Sequence, residues 1–330
     1  MGYANDYICQ ANTVIIGRKG NINKPIFVEE PFWNVDTAFG LEAKRDVLLP
    51  RYLYYFCCRY DFERLNKAVT IPSLTKADLL KIELELPPLD KQAMVVDKLV
   101  RIERIKSLRK QQIEQLDELI KVRFVEMFGD PEFNDKGWST KKLSSLCDVG
   151  SSKRIYQEEQ SLEGVPFWRI SDLVAKMDTG NVDSSLFIPE SRYEELKAQG
   201  LVPDSGDILV TSRGTLGRCY IISENDRFYF QDGMISWLSH YSGEISPLYI
   251  KYLFDMPGFR KQIDSLQAGS TVAYLSIAML KKLNIMVPSV ELQERFAAFV
   301  AQIDKSKSVI QKSLEETQLL FDSLMQEYFG

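Results

Sequence analysis

The sequence predicts a mixed α/β fold in which globular parts alternate with two long helices packed as an antiparallel coiled coil. Three observations lead there: an internal duplication, an unbroken heptad spacing in each copy, and short apolar runs separated by turns upstream of each heptad stretch. Laying "LPPLDKQ" at 86 to 92 on "VPSVELQ" at 287 to 293 keeps register without a gap as far as "MFG" at 127 to 129 and "YFG" at 328 to 330. Pro87, Gln92, Ile102, Lys106, Glu114, Phe128 and Gly129 meet identical residues at Pro288, Gln293, Ile303, Lys307, Glu315, Phe329 and Gly330. Upstream, Thr70, Leu74, Leu79 and Lys81 meet Thr271, Leu275, Leu280 and Lys282.

The first element at issue is "ELPPLDKQ", whose Pro-Pro pair after an apolar run invites comparison with the catalytic loop of amino-methyltransferases. The second copy reads Val287-Pro288-Ser289-Val290, without the second proline, and neither copy has an aromatic residue after the prolines to stack on a base. No glycine-rich loop follows a strand to hold a nucleoside cofactor. The element is therefore a helix entry, a short strand closed by a proline that cannot extend it.

From that entry, positions 95, 99, 102, 106, 109, 113, 116, 120, 123 and 127 step by alternating fours and threes. The predicted seam includes Leu99, Ile102, Lys106, Ile113, Leu116 and Ile120 in the first helix. In the second it includes Val300, Ile303, Lys307, Ile310, Leu314, Phe321 and Leu324. No glycine or proline interrupts either run before the closing Phe-Gly, a natural helix stop. Each helix would be on the order of 55 Å long, more than a globular domain needs. Two such helices of equal length pair most readily with each other; the alternative is that each packs on its own domain. Lys106 and Lys307 are unexpected in a seam, and they mark where the pair would open toward a partner or DNA.

The segments ahead of the helices also repeat. "NTVIIGRKGNIN" at 12 to 23 matches "GDILVTSRGTLG" at 206 to 217, "FWNVDTAFG" matches "FYFQDGMIS", and "LPRYLYYFC" matches "SPLYIKYLF". In the first pair a strand ends in a basic residue and a glycine at a turn. Residues 150 to 206 have no counterpart before residue 12, so the first globular part is expected to lack roughly 60 to 70 residues at its front.

Composition narrows the class. With 45% hydrophobic and 26% charged residues in 330, the chain is an ordinary globular sequence of two or more domains. No run of apolar residues is long enough to span a membrane, and "MGYANDYICQ" has no signal-peptide pattern. Gly2 does not open a myristoylation motif, because position 6 is Asp. A cytoplasmic location is the expectation. Cys9, Cys57, Cys58, Cys147 and Cys219 show no C-x-x-C spacing, and His240 is the single histidine, so buried free thiols are expected rather than a zinc site. A net charge of −5 excludes a general basic coat but not a local basic patch.

The order of mixed domain, long helix, mixed domain, long helix, together with "PFWRISDL" at 166 to 173, "GDILVTSRGTLG" and the two helix entries, resembles the specificity subunit of type I restriction-modification systems. The resemblance covers nearly the whole chain. It implies a partial first target recognition domain (1–88), a central conserved helix (89–129), a second target recognition domain (130–289) and a distal conserved helix (290–330). It also implies a sequence-specific DNA-binding subunit without chemistry or cofactor of its own. Each recognition domain would read half of a split site in double-stranded DNA, while the helices act as a spacer and dock the modification (adenine methyltransferase) subunits. Methyl transfer and cleavage would belong to those partners and to a restriction/translocase subunit. If two chains form a homodimer, the site would be palindromic.

The candidate DNA-facing residues follow from the repeated turn. Arg213, Gly214 and Thr215, with Ser212 before them, stand after a strand where glycine permits close approach and arginine can reach a phosphate or a guanine edge. Arg18, Lys19 and Gly20 occupy the matching turn. Lys153, Arg154 and Arg169 add positive charge near the start of the second domain, and Trp168 is a core residue before it is a stacking platform. Solvated turn charges are the plain alternative. Two rival functions are a protein-interaction coiled-coil scaffold without DNA readout, and a metal-dependent nuclease using Glu195 and Lys197 in E-x-K spacing with Asp204.

Overall fold

The computed structural model describes residues 5–66, 71–266 and 273–330; Gly2 and the matched pair Thr70 and Thr271 lie outside them. In chain order the elements are β1 (Thr13–Gly17), β2 (Ile26–Val28), β3 (Ala38–Leu41), α1 (Pro50–Arg59), α2 (Lys76–Leu79) and the long helix α3 (Leu89–Phe128). There follow β4 (Ser139–Lys142), β5 (Asp148–Gly150), β6 (Val165–Trp168), α4 (Ile170–Thr179), β7 (Phe187–Ile188), α5 (Glu190–Ala198), β8 (Ile208–Thr211) and β9 (Cys219–Ile221). The chain ends with β10 (Tyr229–Phe230), β11 (Ile235–Ser239), α6 (Pro247–Asp255), α7 (Pro257–Ser265), α8 (Ile277–Lys282), β12 (Asn284–Val287) and the second long helix α9 (Val290–Phe329).

Contacts divide the chain into two compact units, one comprising Met1–Glu114 with Lys307–Gly330, the other Gln115–Ser306. Each long helix is thus shared between units, whereas the sequence segmentation set the helices apart as pieces of their own.

In the first unit the sheet order is β2-β1-β3, all antiparallel, with Ile15 opposite both Ile26 and Gly40. Val14 and Ile16 alternate inward from β1 onto Leu53 and Cys57 of α1, with Ile22, Phe62 and Leu74 completing this core. Pro50 opens α1, where its missing N–H costs nothing. The opposite face of α1 carries Tyr52 and Tyr55 onto Val95 and Leu99 of α3 and Met325 of α9. Here the two long helices run antiparallel. The Lys98 amine is 3.1 Å from the Tyr328 hydroxyl, and the Arg109 guanidinium donates to the Ser313 carbonyl and the Thr317 hydroxyl. Lys106 holds its seam position by placing its ammonium 4.6 Å from the centre of the Phe321 ring, a cation–π contact that offsets some lost hydration.

In the second unit the main sheet has the order β5-β11-β8-β9, antiparallel throughout, beside the pair β12-β4 and a small sheet β10-β6-β7 in which β10 and β6 are parallel. Strand β8 is buried along its whole length, as its continuous apolar run requires of a central strand. The antiparallel helix pairing recurs, with Phe296 of α9 packed edge-on against Phe124 and Phe128 of α3, and Tyr249 of α6 stacked on Phe124. Ile120, Val300 and Ile303 lie in the same core. In both helices every predicted seam position is buried or half-buried. Gly129 ends α3 with φ +81° and an N–H bonded to the Val125 carbonyl; a Cβ there would collide with Asp135.

The duplication is visible in three dimensions. The order β2-β1-β3 repeats as β9-β8-β11, α1 as α6, and α2 as α8. Its most specific mark is a pair of buried glutamines at the helix entries. Gln92 accepts from the Leu49 N–H (2.9 Å) and donates to the carbonyls of Val47 and Pro87 (both 2.8 Å). Gln293 accepts from the Ser246 N–H (2.8 Å) and donates to the carbonyls of Glu244 (2.9 Å) and Pro288 (3.0 Å). Each clamp ties a long helix to the N-terminus of its short aromatic helix.

Candidate nucleic-acid interface

The two basic turns have the same backbone wiring. After β1, the Arg18 N–H donates to the Thr37 carbonyl (2.8 Å) and its own carbonyl accepts from Leu74 (2.9 Å). After β8, the Ser212 N–H donates to the Met234 carbonyl (2.9 Å) and its carbonyl accepts from Leu275 (3.0 Å). Arg18 therefore corresponds to Ser212, Lys19 to Arg213, and Gly20 to Gly214. Both glycines are left-handed, with φ +77° and +68°, and a Cβ on either would meet nothing within 4 Å. Local packing does not demand glycine at either place; the backbone conformation does.

Arg213 and Thr215 are exposed, and the Arg213 guanidinium lies 5.4 Å from the centre of the Tyr274 ring. The Thr215 carbonyl accepts from the Thr211 hydroxyl (2.5 Å), and Thr211 also takes the Gly217 N–H (2.8 Å), which closes the hairpin between β8 and β9. Ser212 differs from its expected role. Its side chain is buried, with Oγ 2.8 Å from Oγ of Ser236, so it braces the turn and cannot contact a ligand. In the first unit, exposed Arg18 donates to the Asp36 carbonyl at 3.3 Å and Lys19 is exposed beside it.

The turn Gln231–Met234 brings the remaining cations to the same end of the second unit. The Gln231 N–H bonds to the Trp168 carbonyl (2.9 Å), which sets Arg169 next to it, and the Arg154 guanidinium pairs with Asp232 (3.0 Å). Ser212, and with it Arg213, is held to Met234 as described. Lys153 is anchored through its N–H to the Tyr229 hydroxyl (2.8 Å). Lys153, Arg154, Arg169 and Arg213 are all exposed, while Asp232 is matched by Arg154 and Asp172 accepts from the Arg169 N–H (2.8 Å). The result is an exposed rim of cations on a strand-and-turn scaffold. Gln231, Asp232 and Gly233 were missed in the sequence reading, although Asp232 stands where the repeat has Asp36.

The other candidates have structural roles. Trp168 is buried and stacks on Phe228 with ring centres 3.7 Å apart. Glu195 pairs with Arg192 on α5 (3.0 Å), and among the described residues no three His, Cys, Asp or Glu side chains are grouped to hold a metal ion. His240 is exposed at the end of β11, 3.1 Å from Asp148. Cys9, Cys57, Cys147 and Cys219 are buried free thiols, whereas Cys58, expected to be buried with them, is exposed; burial pushes Cys57 and Cys147 up to about 12. Burial works to raise Asp226, but hydrogen bonds from the Tyr220 hydroxyl (2.6 Å), from Ser223 and from Lys176 hold it below the usual carboxylate value.

The sequence model of the type I restriction modification DNA specificity domain matches residues 1–118 and 135–318, most of the chain and both copies of the repeat. The chain belongs to that family. A putative type I restriction enzyme specificity subunit of Haemophilus influenzae is 25% identical over 99% of this chain and 83% of its own length. The MjaVIII specificity subunit of Methanocaldococcus jannaschii is 23% identical over 93% of this chain and 73% of its own. Among solved structures, the type I restriction-modification S subunit from M. genitalium aligns with a TM-score of 0.55 at 19% identity, covering 100% of this chain and 86% of that one. A chain from work on the assembly and conformational transition of a type I system aligns at 0.59 and 17% identity, covering 97% and 82%. These alignments place the fold of this specificity-domain chain with those structures. No helix among the described residues is long and apolar enough to cross a membrane.

Proposed function

We propose that this specificity-family chain directs a type I adenine methyltransferase and restriction complex to a split target in double-stranded DNA. The rim of the second unit, Lys153, Arg154, Arg169, Arg213, Gly214 and Thr215, faces DNA, with Arg18, Lys19 and Gly20 as the corresponding face of the first. The single observation that carries this is the reused turn: two exposed basic residues, Lys19 and Arg213, beside left-handed glycines in identically wired turns. An exposed arginine on such a turn can contact a phosphate or pair with O6 and N7 of guanine. The antiparallel helices act as spacer and as docking surface for modification subunits, and a restriction/translocase subunit joins through them. The chain itself performs no catalysis and works in the cytoplasm.

The test is DNA affinity measured across a salt series for the wild type, Arg213→Ala and Arg18→Ala. Binding should weaken steeply with salt, and Arg213→Ala should either lower the salt slope by about one or relax one base position. Unchanged binding and methylation pattern in both variants would remove these turns from the interface. Salt-independent binding, or none, would favour a protein-interaction scaffold.

A further inference from the structure

The turn between β10 and β11 is held at both ends and along one side. The Gln231 N–H bonds to the Trp168 carbonyl and the Met234 carbonyl accepts from the Ser212 N–H, both at 2.9 Å. Alongside runs Ser151–Arg154, every residue of which is bonded to β10, to the turn or to β11. The Ser151 hydroxyl donates to the Ile235 carbonyl (2.9 Å) and the Ser152 hydroxyl to the Phe230 carbonyl (2.7 Å). The Lys153 N–H donates to the Tyr229 hydroxyl (2.8 Å) and the Arg154 guanidinium to Asp232 (3.0 Å). Gly233, with φ +69°, turns the chain.

On this fixed turn one polar side chain is uncommitted. Asp232 is paired, Gly233 has no side chain, and Met234 offers only a weak thioether acceptor. Gln231 is half-buried; its amide has no hydrogen-bond partner among the described residues, yet it is not one of the buried polar atoms left unpaired, so it is open to solvent. A carboxamide offers donors and an acceptor side by side, which none of the cations on the rim does. In the repeat the aspartate recurs as Asp36, whereas Gln231 is replaced by Val35, so the two copies carry different chemistry at this point.

We propose that Gln231 is a base-reading residue whose carboxamide pairs with N6–H and N7 of an adenine in the major groove, the bidentate match for glutamine. This rests on the reading of the rim as the DNA-facing side of the second unit. Lys153 and Arg169 are exposed on long flexible stems, which suits phosphates met in many geometries. An amide on a turn wired from both ends is held to the half-ångström or so that a bidentate contact needs. The cations position the duplex, and residue 231 decides the base.

The test maps methylated adenines on plasmid DNA after co-expressing the full chain, or a variant, with a type I adenine methyltransferase subunit. With Gln231→Ala, one adenine of the wild-type motif, distinct from the methylated base, should lose its preference at least about tenfold while the rest of the motif is kept. Gln231→Glu cannot donate to N7 but accepts from N4 of cytosine, so it should trade that adenine for cytosine. Neither change removes a hydrogen bond from the fold, so the urea midpoint should stay. In a synthetic duplex, 7-deazaadenine at that position should weaken wild-type binding about threefold or more and leave Gln231→Ala binding unchanged, which a structural role for Gln231 would not produce. An unchanged motif in both variants, or a relaxed position that was not adenine, overturns the inference and leaves the rim in place. DNA binding independent of salt would remove the rim, and Gln231 with it.

Discussion

Replacing Gln293 by leucine keeps the side chain's bulk and removes three buried hydrogen bonds at once. The residue is 2% exposed, and its partners are the Ser246 N–H and the carbonyls of Glu244 and Pro288. At about 1 kcal/mol net per bond, Gln293→Leu should destabilise the second unit by about 3 kcal/mol, because the backbone groups left behind are screened from water. Gln92→Leu removes the matching three bonds and should cost the first unit about the same. Urea unfolding followed by tryptophan fluorescence separates the units, since Trp33 lies in the first and Trp138, Trp168 and Trp237 in the second. With a slope of about 3 kcal/mol/M, the midpoint of the affected unit should fall by about 1 M. A shift under about 0.2 M in either variant would refute the idea that these clamps hold the helices to their domains.

The other predictions follow the same logic. Arg213→Ala should cost about 1–3 kcal/mol of specific DNA binding with no change in the urea midpoint, checked by titration on cognate and scrambled duplexes. Gly214→Val forces a β-branched residue to φ +68°, at a cost of about 1–2 kcal/mol, and should impair DNA binding, while Gly214→Asn should be nearly silent in thermal unfolding. Asp226 has a folded value below its unfolded one, so its contribution is complete above about pH 3.9 and disappears as pH falls through the folded value. Asp226→Asn should therefore lose about 2 kcal/mol at pH 7, and its gap from the wild type should close in acid. Cys57 and Cys147 should resist alkylation at pH 8 until urea opens the fold, as a timed thiol assay would read.

Much of this architecture was legible because it is periodic or repeated. The heptad seam could be located residue by residue, since one apolar face recurs every three or four positions, whereas the contact with the Phe321 ring that seats Lys106 on it could not. The turn at Arg213 was legible from its twin at Lys19. The rim around Gln231–Met234 was not, because it is assembled by backbone hydrogen bonds at Trp168 and Met234 and by the side-chain pair of Asp232 with Arg154, between segments far apart in the chain. Ser212 could not be separated from Arg213 by sequence, since only the facing strand, with Ser236, decides which of two adjacent turn residues points inward. The parallel pairing of β6 with β10 left no short-range signal either.

The central claim is tested most directly by co-expressing the chain with a type I adenine methyltransferase subunit and mapping methylated adenines on plasmid DNA. Methylation confined to one split motif, and lost or relaxed with Arg213→Ala, is the predicted result. A stable protein complex whose methylation pattern is the same with and without this chain would contradict it.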